Sequence, residues 1–199
     1  DVDGDGDLDL ISGARSGLIF YYQNLPSGLP AGVNSYIDCS TGIFSDIDVG
    51  FNSTPQLVDV DEDGDLDLII GESEGGITYY RQQANGSYIQ QTGSNNPFDG
   101  IDVGDDSAPQ LVDVDGDDDL DLIIGEKIGT IIYYRQQANG SYVQQTDSNN
   151  PFDGIDVGDD SGGSLDMYRR REGLSGTQLG RRYEPQQKCR PSSPTCRGW

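Results

Sequence analysis

Residues 59–71 read DVDEDGDLDLIIG, and residues 113–125 read DVDGDDDLDLIIG. Each stretch places an acid at every second position of nine residues and then runs into an apolar, β-branched segment that ends in glycine. β-Branched residues favour strands, whereas closely spaced aspartates and glycines favour turns and loops. The stretch therefore predicts a tight acidic loop that leads directly into a buried strand.

The two stretches belong to an internal repeat of 54 residues. Residues 47–100 and 101–154 align without a gap and match at 43 of 54 positions, so we expect both copies to share one structure. Residues 1–46 contain a diverged partial copy of the same unit, and residues 155–161 begin a further copy. The pattern stops there, and residues 162–199 form a tail of different composition.

Each complete unit contains four short segments with strand character. In the second copy these segments span residues 109–112, 120–124, 130–134 and 142–146. Asn139-Gly140, like Asn85-Gly86, separates the last two segments, and this dipeptide predicts a type I′ turn in which both residues have positive φ. Four antiparallel strands in about 50 residues, repeated, predict an all-β chain of propeller blades. Because propellers close with about four to eight blades, about three blades predict an incomplete propeller, a fragment of a larger one.

Composition excludes several classes of function. The 199 residues include no His, which removes the commonest general base and zinc ligand, so we expect no enzyme. Residues 1–160 hold 32 of the 35 acidic residues but only 4 of the 12 basic residues. A surface this acidic repels nucleic acid and anionic lipid, and no apolar run approaches the roughly 20 residues of a membrane span. The expected partners of the acidic part are cations.

The tail is basic and poor in apolar periodicity. Residues 161–199 hold 8 basic and 3 acidic residues. Such a sequence predicts a disordered segment, a basic arm that binds an anionic partner, or an out-of-frame end. Cys39, Cys189 and Cys196 are too few and too irregularly spaced to predict a disulfide framework or a zinc site.

The acidic loops predict a bound cation. Carboxylates about 4 Å apart repel by roughly 1 kcal/mol in water and by about 4 kcal/mol at an effective dielectric constant of 20, so five of them on one loop need a counterion. Several hard oxygen ligands in a flexible arrangement favour Ca²⁺ over Mg²⁺ or Zn²⁺.

An EF-hand does not fit these loops. Counted from Asp59, the twelfth position is Ile70, where a bidentate Glu is required. Counted from Asp61, Glu72 stands at the twelfth position but Leu66 replaces the invariant glycine. The sequence therefore predicts a shorter loop that closes at its ninth residue.

The acidic nonapeptide followed by Leu-Ile-Ile-Gly, repeated at the period of propeller blades, resembles the FG-GAP/VCBS repeats of integrin-α-like β-propellers. The resemblance covers residues 1 to 160. It implies that each loop joins the two inner strands of a blade and binds one Ca²⁺, two or three ions in total. Positions 1, 3, 5 and 9 would supply side chains, and position 7 a backbone carbonyl. The implied ligand positions are Asp59, Asp61, Asp63, Asp65 and Asp67; Asp113, Asp115, Asp117, Asp119 and Asp121; and Asp1, Asp3, Asp5, Asp7 and Asp9.

One position departs from the pattern. The sixth residue of the loop is Gly6 and Gly64 in two copies but Asp118 in the third. Aspartate tolerates the left-handed backbone conformation better than most residues, so we expect the third site to persist.

The resemblance also implies a function. It implies a non-catalytic, calcium-binding module of a secreted or cell-surface protein that binds a protein or glycan, as in adhesion. A longer chain or self-association would supply the rest of the propeller. Extracellular calcium modules work at about 10⁻⁴ to 10⁻³ M, which favours an extracellular location. Two alternatives remain open: an accessory propeller of a secreted enzyme whose catalytic part lies elsewhere, and an acidic matrix protein that binds cations or mineral.

Two further patterns have two interpretations each. Asn85 and Asn139 each begin an Asn-Gly-Ser glycosylation acceptor sequence, although a hairpin already accounts for Asn-Gly. The tyrosine pairs at 79–80 and 133–134 suggest an aromatic binding surface, but alternation along a strand predicts one ring between blades and the other on the opposite face.

Overall fold

The computed structural model describes residues 2–25, 36–39 and 42–158. These residues form eleven β-strands and two short 3₁₀ turns, at Gly93–Asn95 and Asp147–Asn149. In these three ranges, no helix is long and apolar enough to cross a membrane. Asp1, the end of the unit at 155–161 and the tail at 162–199 lie outside the described residues.

The strands form three antiparallel sheets, each following the chain order from edge to edge. The first sheet contains β1 (Leu10–Gly13), β2 (Ile19–Asn24) and β3 (Tyr36–Asp38). The second contains β4 (Thr54–Val58), β5 (Asp67–Gly71), β6 (Ile77–Gln82) and β7 (Tyr88–Gln91). The third contains β8 (Ala108–Val112), β9 (Asp121–Gly125), β10 (Ile131–Gln136) and β11 (Tyr142–Gln145). The predicted all-β chain of propeller-like blades, not closed into a complete propeller, is confirmed.

The second strand of each four-stranded sheet is its most buried strand. Every residue of β5 and of β9 is buried. Each strand has a neighbour on both edges, and β5 also has another sheet against each face. Strands covered in this way read as continuous apolar runs rather than as alternating patterns, which accounts for Leu-Ile-Ile in both copies. The first strands, β4 and β8, lie at sheet edges and tolerate Pro55 and Pro109, since an edge strand need not donate every N–H.

The sheets pack face to face. Ile69 of β5 belongs to a core with Leu111 and Leu122 of the third sheet, whereas Leu68 on the opposite face of β5 belongs to a core with Ile19 of the first sheet. Complete burial of one such side chain contributes about 1.5–3 kcal/mol. One strand therefore supplies side chains to two cores, which is how neighbouring blades are joined.

An aromatic residue that follows the last strand fills each contact between sheets. The Phe98 ring lies 5.9 Å from the Tyr79 ring of its own sheet and 5.1 Å from the Tyr142 ring of the next sheet. Phe44 makes the equivalent contacts one sheet earlier, with Tyr21 and Tyr88. These edge-to-face and tilted arrangements are favourable for aromatic pairs.

The tyrosine pairs face opposite ways, as alternation predicts. Tyr79 packs in the core that faces the third sheet, and Tyr80 packs against the core that faces the first sheet. Both members therefore pack between sheets, so the pair does not form an exposed aromatic surface.

The beginning of each sequence unit binds to the preceding sheet. Asp48, Asp102 and Asp156 form isolated β-bridges with Leu18, Gly76 and Thr130, respectively. The Ser107 hydroxyl oxygen lies 2.9 Å from the backbone nitrogen of Glu72 and 2.7 Å from the carbonyl oxygen of Gly76. The junction is so close that a Cβ at Gly71 would lie 2.2 Å from the carbonyl oxygen of Ser107.

The hairpin turn differs from the predicted type I′ turn. Gly86 has a φ of 79°, but Asn85 is not among the residues with positive φ. The Gly86 N–H donates to the Gln83 carbonyl over 2.7 Å, and the Gln83 N–H donates to the Ser87 carbonyl over 2.8 Å. The loop therefore has three residues and ends in a left-handed glycine, a common hairpin form. Gln137, Gly140 and Ser141 repeat the arrangement.

Candidate metal centres

The acidic loops occupy equivalent places in the three sheets. Residues 59–66 connect β4 to β5, residues 113–120 connect β8 to β9, and residues 2–9 precede β1. The fourth and sixth positions of every loop have left-handed backbone conformations: Gly4 and Gly6, Glu62 and Gly64, Gly116 and Asp118. Two left-handed residues separated by one position turn the loop tightly, which brings alternate carboxylates toward one another. Asp118 adopts this conformation with a φ of 71°, as the sequence predicts.

The first aspartate of the loop fixes the turn. Asp59 accepts hydrogen bonds from the backbone N–H groups of Asp63 and Gly64, over 3.1 and 2.9 Å. In the third sheet, Asp113 accepts from the N–H of Gly116 over 2.6 Å. A charged acceptor makes such bonds stronger than neutral ones, so the first aspartate organises the backbone as well as offering an oxygen to a cation.

Three carboxylates converge in each of two loops. One oxygen atom from each of Asp59, Asp61 and Asp67 lies within 4.8 Å of the others, and the same holds for Asp113, Asp115 and Asp117. Among residues 2–9 of the first loop, a range that leaves out Asp1, no such group of three is found. The two groups consist of oxygen ligands only, which suits a hard cation such as Ca²⁺.

The aspartate at the ninth position of the second sheet's loop, Asp67, is completely buried and accepts three hydrogen bonds. Asp67 accepts from the Tyr79 hydroxyl over 2.7 Å, from the Gln82 N–H over 2.8 Å and from the Val60 N–H over 3.3 Å. Burial raises the pKa of this carboxyl above its ordinary value despite these donors. Asp67 therefore links the loop to β6 in addition to offering an oxygen to the group of three.

The same anchor occurs in the other two sheets. Asp121 accepts from the Tyr133 hydroxyl over 2.8 Å and from the Gln136 N–H over 2.9 Å. Asp9 accepts from Tyr21 and from the N–H of Asn24. For Asp9, burial acts to raise the pKa, but the hydrogen bonds from Asn24, Val2 and Tyr21 act to lower it, and the pKa lies below its ordinary value. The implied ligand position 9 is thus a structural position in every sheet.

An arginine lies directly against the acidic groups. Arg81 of β6 places Nε 2.6 Å from Asp61 Oδ2 and Nη2 2.9 Å from Asp63 Oδ2. Arg135 of β10 makes the same two contacts, with Asp115 and Asp117, at the same distances. The hydrogen bond from each arginine holds the pKa of Asp63 and of Asp117 below its usual value. The guanidinium group thus supplies one positive charge to the clustered carboxylates.

The first sheet lacks this positive charge. Gln23 occupies the position of Arg81 and Arg135, and its side-chain amide donates to Asp3. The three loops therefore differ in charge balance although their acidic patterns are nearly identical.

Small cavities adjoin both arginine-bound loops. A cavity of about 340 Å³ is lined by Asp61, Tyr79 and Arg81 among others, and a cavity of about 350 Å³ is lined by the equivalent residues of the third sheet. The loop acids thus border open space, into which an arginine side chain has room to move.

The implied carbonyl ligands and the glycosylation acceptors remain predictions. The backbone N–H groups of Asp65 and Asp119 donate to Asp63 and Asp117, over 3.0 and 3.1 Å. Asn85 is exposed, and its side-chain oxygen accepts from the hydroxyl of Ser87 over 2.7 Å. Asn139 and Ser141 repeat this arrangement over 2.8 Å.

Sequence reasoning did not identify Arg81, Arg135, Tyr79 or Tyr133 as parts of the loop sites. Each arginine lies 18 residues after the aspartate at the fifth position of its loop, and each tyrosine lies 12 residues after the aspartate at the ninth position. These fixed separations recur in both copies and are the sequence signal by which the arginines and tyrosines could be identified. Its meaning depends on the pairing of β5 with β6, which returns the chain beside the loop.

Comparison with known proteins identifies the repeat. The family model of the FG-GAP-like repeat matches residues 59–124, from the first aspartate of one acidic loop to the second strand of the next sheet. The predicted relationship to FG-GAP repeats is confirmed for this segment. A comparison with curated proteins yields no match.

Proposed function

We propose that this chain, in which residues 59–124 form an FG-GAP-like repeat, is a calcium-binding, non-catalytic propeller module that mediates extracellular recognition of a protein or a glycan. The observation that carries the proposal is the convergence of three carboxylates in each of two equivalent loops. Calcium accepts six to eight oxygen ligands at 2.3–2.6 Å in flexible geometry. Three carboxylates supply up to six oxygens, and water would complete the shell.

Calcium would stabilise the contact between loop and sheet rather than perform chemistry. An ion at the group formed by Asp59, Asp61 and Asp67 would join the loop to the buried start of β5, because Asp67 is the first residue of that strand. FG-GAP repeats are structural modules, and the chain contains no His for general base catalysis. The recognition surface would then be formed by the loops and strand edges that calcium holds in place.

The experiment is a calcium titration of the whole chain after its bound metal has been removed with a chelator. Calorimetry measures the binding, and circular dichroism measures the change in β-structure. We expect two or three saturable sites, with calcium preferred over Mg²⁺ at millimolar concentration. The double variant Asp61→Asn and Asp115→Asn should lose two sites, because one carboxylate of each group is replaced. The matched control is Asp99→Asn with Asp153→Asn, a pair of exposed acids at equivalent positions outside the loops.

Two results would contradict the proposal. Binding without saturation that Mg²⁺ reproduces equally would support an acidic matrix protein that attracts cations in bulk. If the loop variant and the control variant bound the same number of calcium ions, the two carboxylate groups would not be the calcium sites.

A further inference from the structure

The two cavities beside the arginines occupy the same place in their sheets. Each is bounded by the acidic loop, by the third and fourth strands and by the segment that follows the fourth strand. The lining of the cavity in the second sheet comprises Val60, Asp61, Tyr79, Arg81, Gln91, Asn95 and Pro97. The cavity in the third sheet has the same seven residue types 54 positions later, together with Ser148.

Each cavity is a property of the folded repeat itself. All of its lining residues come from a single unit, 47–100 or 101–154. The second sheet packs against a sheet on each face, whereas the third sheet, within the described part of the chain, packs against the second alone. The volumes are nevertheless about 340 and 350 Å³. The cavity therefore does not depend on which sheets adjoin the repeat.

The polar side chains around the cavity are held in place before any ligand binds. The Gln91 amide nitrogen donates to the Ile89 carbonyl over 2.9 Å, and Gln145 makes the same bond to Val143 over 2.9 Å. Neither glutamine oxygen has a partner among the residues that the structure describes. Arg81 is fixed by its two carboxylate contacts. Side chains fixed in this way lose little conformational entropy when a ligand binds.

The chemistry of the lining suits a neutral sugar. Arg81 and Asn95 supply donors, whereas Asp61 and Gln91 supply acceptor oxygens. Pro97 adds an apolar surface. A sugar is complementary to this set, because its hydroxyl groups both donate and accept while its ring C–H groups form an apolar face. An anion would be repelled by the acids of the loop, and a cavity near the lower limit of ligand pockets, about 300 Å³, suits a single ring.

We propose that each of these two cavities binds one neutral sugar unit of a glycan without the participation of a metal ion. The proposal rests on the recognition role proposed above, which it narrows from a protein or a glycan to a glycan, but it does not rest on the calcium sites. The sugar hydroxyls accept from Arg81 and donate to the Gln91 oxygen. Two equivalent sites on one chain let a branched or repetitive glycan bind through both, which raises the avidity.

The first sheet provides an internal comparison. Gln23 takes the place of Arg81 there. Cys39 takes the place of Gln91, because its N–H bonds to the carbonyl of Tyr21. Neither the guanidinium donor nor the fixed amide oxygen is present, so we expect two sugar sites among the described residues rather than three.

The test is a nuclear magnetic resonance titration of the whole ¹⁵N-labelled chain in the presence of a chelator. The probes are glucose, galactose, mannose, fucose and N-acetylglucosamine, each added alone. At least one sugar should shift the side-chain signals of Gln91, Gln145, Arg81 and Arg135. A ligand of about twelve non-hydrogen atoms should saturate the shifts in the millimolar range. The side-chain signal of Gln23 should not follow the same titration.

One pair of variants locates the sites. Gln91→Met with Gln145→Met keeps the length of both side chains but removes their acceptor oxygens. The shifts of the arginine signals should then require about fivefold more sugar or more, because one hydrogen bond is lost at each site. The matched control is Gln90→Met with Gln144→Met, which changes the exposed neighbouring residues of the same strands and should leave the titration unchanged.

A calcium titration of the same variants separates this proposal from the proposed calcium sites. Both pairs should bind calcium like the original chain, because no glutamine belongs to the carboxylate groups. Sugar binding in a chain that fails to bind calcium would contradict the calcium sites and support the sugar sites. The sugar proposal is overturned if none of the five sugars shifts the signals of both cavities, if the Gln91→Met and Gln145→Met variant binds sugar normally, or if sugar binds only after calcium is added.

Discussion

At the scale of single residues, the buried aspartates are the positions on which each acidic loop depends. Asp67 and Asp121 are 0% exposed, and each accepts a hydrogen bond from a tyrosine of the adjacent strand. A buried carboxylate that loses a donor retains the full cost of its removal from water. The tyrosine hydroxyl should therefore contribute measurably to stability even without a metal.

Tyr79→Phe tests this role. The substitution removes the donor over 2.7 Å to Asp67 and should lower the free energy of unfolding by about 1–3 kcal/mol. Urea denaturation in the presence of a chelator measures the effect. Tyr80→Phe is the control, because Tyr80 lies on the opposite face of β6, and it should change stability by less than about 0.5 kcal/mol. Equal effects of the two substitutions would contradict the anchoring role of Tyr79.

The arginines should control calcium affinity if the loops bind calcium as proposed. Arg81 contacts one carboxylate of its group of three, Asp61, and Arg135 contacts two of its group, Asp115 and Asp117. An ion bound at either group must therefore displace or tolerate a positive charge. A unit charge about 5 Å from a divalent ion costs on the order of 1.5 kcal/mol in water, which corresponds to about tenfold in affinity. Gln23 shows that the fold accepts an uncharged residue at this position.

We therefore expect Arg81→Gln with Arg135→Gln to tighten calcium binding by up to about tenfold. Calorimetry measures the dissociation constants. Arg81→Lys with Arg135→Lys keeps the charge and should leave the affinity close to that of the original chain, apart from the loss of the paired guanidinium contacts. Weaker binding in the glutamine variant would mean that the arginines assist the ion rather than compete with it.

At the scale of structural elements, glutamines of the first strands join neighbouring sheets. Gln56 bonds to both backbone groups of Leu111. Gln110 is the equivalent residue one repeat later, and its side-chain oxygen is buried without a partner in the described part of the chain. The two glutamines form an internal comparison between a satisfied and an unsatisfied amide.

Gln56→Leu should destabilise the chain by about 1–3 kcal/mol, because the N–H of Leu111 loses its acceptor. Gln110→Leu should be neutral or slightly stabilising, because it removes a buried oxygen that has no donor among the described residues. Urea denaturation of the two variants under identical conditions gives the comparison. A larger loss of stability for Gln110→Leu than for Gln56→Leu would reverse the expected order.

The same elements show what the sequence predicts and where prediction stops. Strands such as β5 and β9 follow from β-branched runs after an acidic loop, and the repeat fixes their equivalence. The hairpin form was not predictable from Asn85-Gly86, because the dipeptide also fits a three-residue loop in which Gly86 alone is left-handed. The contact of Arg81 with Asp61 depends on the register of β5 with β6, and residue spacing alone does not specify that register.

At the scale of the whole molecule, charge repulsion opposes folding. The chain has a formal net charge of −23 at pH 7, and 32 of its 35 acidic residues lie in residues 1–160. A net charge this far from zero destabilises a compact state through self-repulsion. Salt screens charges beyond about 10 Å at 0.1 M, whereas an ion bound within an acidic loop neutralises charge at contact distance.

These two mechanisms predict different responses to salt. Without calcium, raising NaCl from about 10 mM to about 200 mM should raise the urea midpoint of unfolding, because screening reduces the repulsion. With about 5 mM calcium the same change in salt should have a smaller effect, because the loops are already neutralised. Circular dichroism at several urea concentrations measures both series.

In the variant with Asp61→Asn and Asp115→Asn, calcium should no longer reduce the response to salt. A response to salt that calcium leaves unchanged in the original chain would mean that ions screen the acidic surface in bulk and do not occupy the loops.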